Sequence, residues 1–221
     1  MAPLRFLLAL FTLAFVAPAR ADECDRLPPP SVTLKRFVEP VTLNTQFGYR
    51  ELTHLGAAIA RPGDQVLGLT RGTAVVRVST RTPSYTDATR RWECASPQLT
   101  LSYGFSPMLV YVAKEFPVGS CAYDEIYRHE QRHVSTYQKH LESIEQELSE
   151  TLNRRFATNR PWRGPAGQTA VQLQQELNER WLPYLKRQIE RVDAAQALID
   201  TPAEYARVMN SCQGEVKRGL R

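Results

Sequence analysis

Between residues 123 and 156 the sequence takes on a helical period: Ile126, Glu130, Tyr137, Leu141, Ile144, Leu148 and Leu152 recur so that they share one broad face. A helix of this length with one apolar face must be covered along that face, so its neighbours in the chain must supply a sheet or a second helix. After a turn-forming stretch over residues 158–167, a second helical pattern runs over residues 169–199. It places Leu177, Trp181, Leu185, Val192, Ala195 and Ile199 on one stripe, with Pro183 inside it as a kink or break. The two patterns read as a long antiparallel helical hairpin.

The segments ahead of the long helix read as strands. Residues 31–37 alternate loosely, and residues 73–80 are rich in β-branched side chains. Residues 97–103 and 108–116 alternate on either side of Gly104-Phe105-Ser106-Pro107, which predicts a hairpin. Residues 49–60 form a short helix in this reading, with Leu52, Leu55 and Ile59 on one face, ended by Arg61-Pro62-Gly63-Asp64. Near the end, Asp200-Thr201-Pro202 marks the capped start of a last short helix that finishes near Cys212. Strands first and long helices after define an α+β chain. Its expected form is an N-terminal antiparallel sheet with a short helix, then the helical hairpin, in one domain over residues 22–221.

Inside the long helix lies His129-Glu130-Gln131-Arg132-His133. Residues four apart lie on one helical face, one turn along. Two imidazoles at that spacing can close on a single metal ion, zinc being the usual occupant. Glu130 follows the first ligand and is placed to accept a proton from a metal-bound water attacking a carbonyl, which is the chemistry of zinc peptidases. The chain has only 4 histidines, and two of them fall at ligand spacing around a glutamate. The competing reading is a merely solvated helix face.

The first 21 residues carry a basic start (Arg5), an apolar run over residues 6–16 and Ala19-Arg20-Ala21, an A-x-A-like cleavage site. They read as a secretory signal peptide, which starts the mature chain at Asp22 and implies a periplasmic or secreted product. No later run is long and apolar enough to span a bilayer. Removal of Arg5 and Arg20 lowers the formal charge from +5 to +3. That mild excess, interspersed with acids, gives no reason to expect nucleic acid as a partner. Cys24, Cys94, Cys121 and Cys212 all follow the leader, and an even count in an exported chain predicts two disulfides. The expected hairpin favours Cys94–Cys121, which leaves Cys24–Cys212 to tie the ends.

Residues 109–116, Gly119-Ser120-Cys121-Ala122-Tyr123 and His129-Glu130-Gln131-Arg132-His133-Val134 together resemble a family of bacterial proteins described as predicted secreted zinc-dependent proteases. Tyr49-Arg50-Glu51-Leu52 and Leu67-Gly68-Leu69-Thr70 are compatible with that family's N-terminal half. The resemblance covers roughly the middle two-thirds of the chain, and its specific part is the helix motif. It implies His129 and His133 as ligands, Glu130 as the catalytic residue, and a zincin-like layout. In that layout a strand beside the active-site helix binds extended peptide by adding it to the sheet, and residues 108–116 are the candidate strand.

Catalytic zinc usually has three protein ligands and a water. His140 returns to the same face but lies roughly 10 Å further along a straight helix, so it reads as a surface or second-layer histidine. If the helices form a hairpin, residues 190–196 face His129 and His133. Glu190 and Asp193 fall there, and Asp193, nearer the apolar stripe, is the expected third ligand. His54 is a further possibility. Tyr137 and Tyr205 are candidate oxyanion donors, with no spacing to choose between them.

The expectation is an exported zinc metallopeptidase with one Zn2+ per chain and a peptide or protein substrate. The rival from another class is a non-catalytic periplasmic protein that binds zinc or holds a partner. An amidase acting on cell-wall peptides would use the same chemistry on another amide.

Overall fold

Residues 22–220 are described by the structure, a computed structural model, and the expected leader over residues 1–21 lies outside them. The elements in order are β1 (Ser31–Val38), β2 (Val41–Asn44), α1 (Tyr49–Leu55), β3 (Gly68–Arg81), β4 (Ser84–Thr86), β5 (Trp92–Ala95), β6 (Gln98–Val112), α2 (Cys121–Phe156), β7 (Trp162–Pro165), α3 (Thr169–Glu176), α4 (Leu182–Glu190), α5 (Val192–Ala197), α6 (Pro202–Asn210) and α7 (Glu215–Arg218). The class is α+β, but its parts differ from expectation in three ways.

First, the main sheet is mixed rather than antiparallel. β6 is its central strand: β1 runs parallel to its first half and β2 parallel to its second, along one side, while β3 runs antiparallel along the other. Second, residues 97–116 do not form a hairpin, because β6 passes straight through Gly104-Phe105-Ser106-Pro107. Gly104 is needed there for close approach and not for a turn: a Cβ on it would run into the backbone carbonyl of Phe37 on β1. The buried side changes phase across this point, from Leu99, Leu101, Tyr103 and Phe105 to Met108, Val110 and Val112, and β3 accommodates it with a register shift between Gly72 and Ala74. Residues 108–112 are therefore interior, paired on both sides, and offer no edge to a peptide.

Third, the return limb is not one long helix. α3, a five-residue π-helical turn at Leu177–Trp181, α4 and α5 follow each other as short pieces. Pro183 has no N–H to donate into the preceding turn, and the wider π turn takes up the break just ahead of it. α1 is also shorter than expected. It stops at Leu55, and Ile59, expected on its buried face, is 70% exposed.

The disulfides follow from the straight strand. Cys24 pairs with Cys94 and Cys121 with Cys212, at Cα separations of 5.8 and 5.7 Å. The expected pairs, Cys94–Cys121 and Cys24–Cys212, assumed that the chain doubles back between residues 94 and 121. A 15-residue strand instead carries it roughly 50 Å, about 3.3 Å per residue, far beyond the reach of a disulfide.

α2 packs along the main sheet. Val134, Tyr137, Leu141, Ile144 and Leu148 share one core cluster with Leu101, Tyr103, Phe105 and Leu185. A second cluster joins Ile126, at the start of α2, to Leu52, Val66, Leu67, Val112, Phe116, Val208 and Val216. That second cluster brings the loop before β3 and the C-terminal helices α6 and α7 to the N-terminal third of α2, where the histidines are. β4, β5 and β7 form a separate small antiparallel sheet that the sequence did not announce. Among the described residues no helix is long and apolar enough to cross a membrane.

Candidate metal centre

Ser120 starts α2 by accepting a hydrogen bond from the Tyr123 backbone N–H at 3.1 Å. Two turns later His129 and His133 project from one face. Their Nε2 atoms are 3.2 Å apart, and Asp200 Oδ1 lies 3.1 Å from the first and 3.2 Å from the second. Three donor atoms thus form a near-equilateral triangle. Ligands bound tetrahedrally to zinc at about 2.0–2.1 Å stand roughly 3.3 Å from one another. The donors therefore fit one face of a tetrahedral zinc site, and they are the nitrogen and oxygen donors that zinc accepts.

The remaining nitrogens are also committed. His133 Nδ1 donates to Gln196 Oε1 at 2.7 Å, and the same amide donates back to the His133 carbonyl at 3.2 Å. This leaves Nε2 as the free donor. His129 Nδ1 lies 3.2 Å from Glu204 Oε1 and 2.7 Å from Arg132 Nη2, which can only donate. A metal at Nε2 requires the Nδ1 proton to go to Glu204, with Arg132 held by that carboxylate instead. Glu204 is itself held by Arg132 and by two hydrogen bonds from Arg207, at 3.0 and 2.8 Å. The Arg207 contact, with smaller help from His129 and Arg132, brings its carboxyl down to about 2, so it stays an anion beside the imidazole. Burial disfavours the charged form of His133. The hydrogen bond to Asp200 and the charges of Glu130 and Asp200 outweigh that and raise its pKa. Burial likewise opposes ionisation of Asp200, but the two imidazoles against it hold its carboxyl well below the usual range.

Replacing Gln196 with Leu is expected to lower zinc affinity about 10–100-fold, the usual cost of losing a partner of a ligating histidine. Competition with a chromophoric chelator measures this directly, and an unchanged affinity would remove Gln196 from the centre.

Asp200 takes the place expected for Asp193. Asp193 sits on α5 and lines the same cavity without joining the triangle of donors, while Glu190 is on the exposed side of α4 beside Lys186, 3.6 Å away. The reason is helical phase. Gln196 already occupies the position facing His133, and Asp193 is most of a turn earlier. His140 donates to the Gln188 carbonyl at 2.9 Å and so fastens α2 to α4. His54 is exposed on α1, outside the cavity wall. Asp200 is presented by the bend between α5 and α6. Thr201 is the residue that caps α6, accepting from the Glu204 N–H at 3.2 Å, which leaves the Asp200 side chain free to face the histidines. Arg61, from the loop before β3, donates to the Asp200 carbonyl at 2.9 Å and steadies that bend.

Glu130 is 3% exposed. Its Oε2 accepts from the Thr70 hydroxyl at 2.7 Å. Its other oxygen lies against Gly68, where an added Cβ would stand 2.5 Å from Oε1 and 2.8 Å from the Glu130 and Ile126 side chains. β3 can pass this close only because residue 68 is glycine. Burial pushes the Glu130 carboxyl up, opposed by His133, His129 and the Thr70 hydrogen bond. Glu130, both histidines and Asp200 line one cavity of about 500 Å³, closed on other sides by Arg61, Tyr137, Asp193 and Tyr205. Tyr205 is held neutral, its hydroxyl pushed up to about 12 by burial and by the nearby Asp200 charge. Tyr137 is engaged with the core, its ring edge-on to Phe105 at 4.5 Å.

The Cys121–Cys212 bridge joins the first residue of α2 to the turn after α6. It therefore ties the helix carrying the histidines to the segment carrying Asp200 and Glu204. Replacing both cysteines with serine is expected to cost about 2–5 kcal/mol of stability and to weaken zinc binding. The Cys24 and Cys94 double variant loses similar stability with no change in zinc affinity. Equal zinc affinity in both variants would show that the bridge does not support the centre.

Comparison with protein families, with curated proteins and with solved structures found no match to this chain. Its chemistry has to be read from the centre itself.

Proposed function

We propose that the chain is an exported zinc-dependent metallopeptidase, with His129, His133 and Asp200 as ligands and Glu130 as the general base. The observation that carries this is the triangle of donors 3.1–3.2 Å apart with a buried carboxylate on the same cavity wall. Zinc bound there supplies a water of lowered pKa and polarises the substrate carbonyl. Gln196 holds the His133 imidazole in the tautomer that presents Nε2, and Glu204 offers His129 Nδ1 the acceptor that the same tautomer needs. Glu130 takes the proton from the attacking water and returns it to the leaving amine, so that peptide and water give an acid and an amine. Thr70 and Gly68 fix the Glu130 carboxylate in place. Tyr205, neutral and on the cavity wall, is the preferred oxyanion donor over Tyr137. Near Gly68 and Thr70 the cavity wall is β3, which pairs with β6 alone among the described strands, and it offers the side along which an extended peptide aligns. Two disulfides and the leader-like first 21 residues support an oxidising, extracytoplasmic location.

The test is metal analysis of the untagged protein beside His133→Ala, followed by assay on unfolded protein and on cell-wall muropeptides. About one zinc per chain, lost in the variant, with cleavage of unfolded protein, is the expected result. Zinc without hydrolysis of either substrate would favour a non-catalytic zinc-binding protein, and absence of zinc after reconstitution would sink the reading.

A further inference from the structure

Beside the main cavity lies a second, smaller pocket. Its apolar walls are Val66, Leu67, Ile126, Val208 and Met209. It shares His129, Glu130, Gly68 and Tyr205 with the large cavity, so the two meet beside the general base. A group entering it from a substrate must be attached close to the atom that Glu130 serves. The walls come from three separated stretches: the loop ahead of β3, the start of α2, and the end of α6. Four of the five apolar residues are at least nine-tenths buried. The pocket is therefore part of the packed second core cluster and has a fixed shape.

Its volume is about 40 Å³. A water needs about 10–15 Å³ on this measure, so there is room for roughly three waters, or for the three or four carbon atoms of a Val, Ile or Leu side chain. A basic side chain would have to bury its charge among five apolar residues to reach Glu130, and Glu130 repels an acidic one. Glycine would leave the pocket unfilled, and tryptophan exceeds it.

Building on the metallopeptidase reading, we propose that this pocket sets substrate specificity by taking a branched aliphatic side chain from the residue next to the cleaved bond. Filling such a pocket discriminates by about 10–200-fold per well-placed methylene. Val208 and Met209, on α6, are the residues that set its depth, and neither touches the metal ligands or Glu130 in the hydrogen-bond network.

The experiment uses zinc-loaded protein and a series of dipeptide hydroxamates that differ only in the side chain beside the chelating group: Gly, Val, Leu, Trp, Lys and Glu. Calorimetry is expected to show the Val and Leu compounds binding at least about 10-fold more tightly than the others. Val208→Phe, which fills the pocket, should flatten the series to within about 3-fold while the chain retains its zinc. Met209→Ala, which enlarges it and serves if the first variant does not fold, should move the preference towards Trp. A flat series in the unaltered protein, or a Val and Leu preference that survives both variants, overturns the proposal while leaving the metal centre standing. A chain without zinc, read separately by metal analysis, overturns both. A clear preference in a protein that hydrolyses no peptide upholds the pocket and removes only the catalytic step.

Discussion

Replacing Glu130 with Gln is expected to leave one zinc per chain in place and to reduce hydrolysis by about 10²–10⁴-fold, the usual worth of a positioned general base. Glutamine matches glutamate in shape, so the close approach to Gly68 persists. The Thr70 hydroxyl can still donate, now to the amide oxygen. What the variant lacks is an atom that can take up and release a proton. The fold and the metal are thereby held constant while the chemical step is removed. Steady-state kinetics on a peptide substrate, with metal content and a melting curve for the same sample, make the comparison. Undiminished hydrolysis in a folded, zinc-loaded variant would falsify the assignment of Glu130.

The second large effect is expected at Asp200. Alanine there removes one of the three donors and leaves two histidines whose Nε2 atoms face each other at 3.2 Å. Zinc should be lost at concentrations where the unaltered protein is saturated. A ligand present at about 1,000 times its dissociation constant stabilises the folded state by about 4 kcal/mol. In a chain of this size that corresponds to a rise in Tm of about 8–16 °C. Zinc addition should therefore raise the melting temperature of the unaltered protein by that amount and that of Asp200→Ala hardly at all. Asp193→Ala, altered at the cavity wall but outside the triangle, should respond like the unaltered protein. An undiminished zinc response in Asp200→Ala would return Asp193 to consideration.

The long helix and its paired histidines were legible in the sequence because both are local: the 3.6-residue period and the i, i+4 spacing need no knowledge of distant contacts. The sheet was not legible in the same way. Gly104-Phe105-Ser106-Pro107 has the composition of a turn, yet Gly104 is there because β1 passes too close for a side chain, a fact that depends on residue 37. The misread hairpin then carried the disulfide pairing with it. Asp200 was hidden for a related reason. Asp200 and Thr201 are both residues that start helices, and the pair looked like a cap. One cap needs one side chain, and Thr201 supplies it, so the spare aspartate was the available clue. Gln196 and Glu204 carry no local signal, since each is defined only by the imidazole it meets across the fold.

Two of the three donors lie on α2 and the third lies about seventy residues later, beyond every strand and most of the helices. Synthesis threads the chain from one end, so His129 and His133 emerge long before Asp200. Until the last helices fold back and Cys212 finds Cys121, the histidines form an open pair without their carboxylate. On the peptidase reading the order of assembly itself acts as a safeguard: the nascent chain cannot cut itself or its neighbours, and competence arrives only with the final stretch. A chain ending at residue 197 should accordingly fold its sheet yet hold zinc far more weakly than the whole, and full affinity in that shortened form would show that no such delay exists.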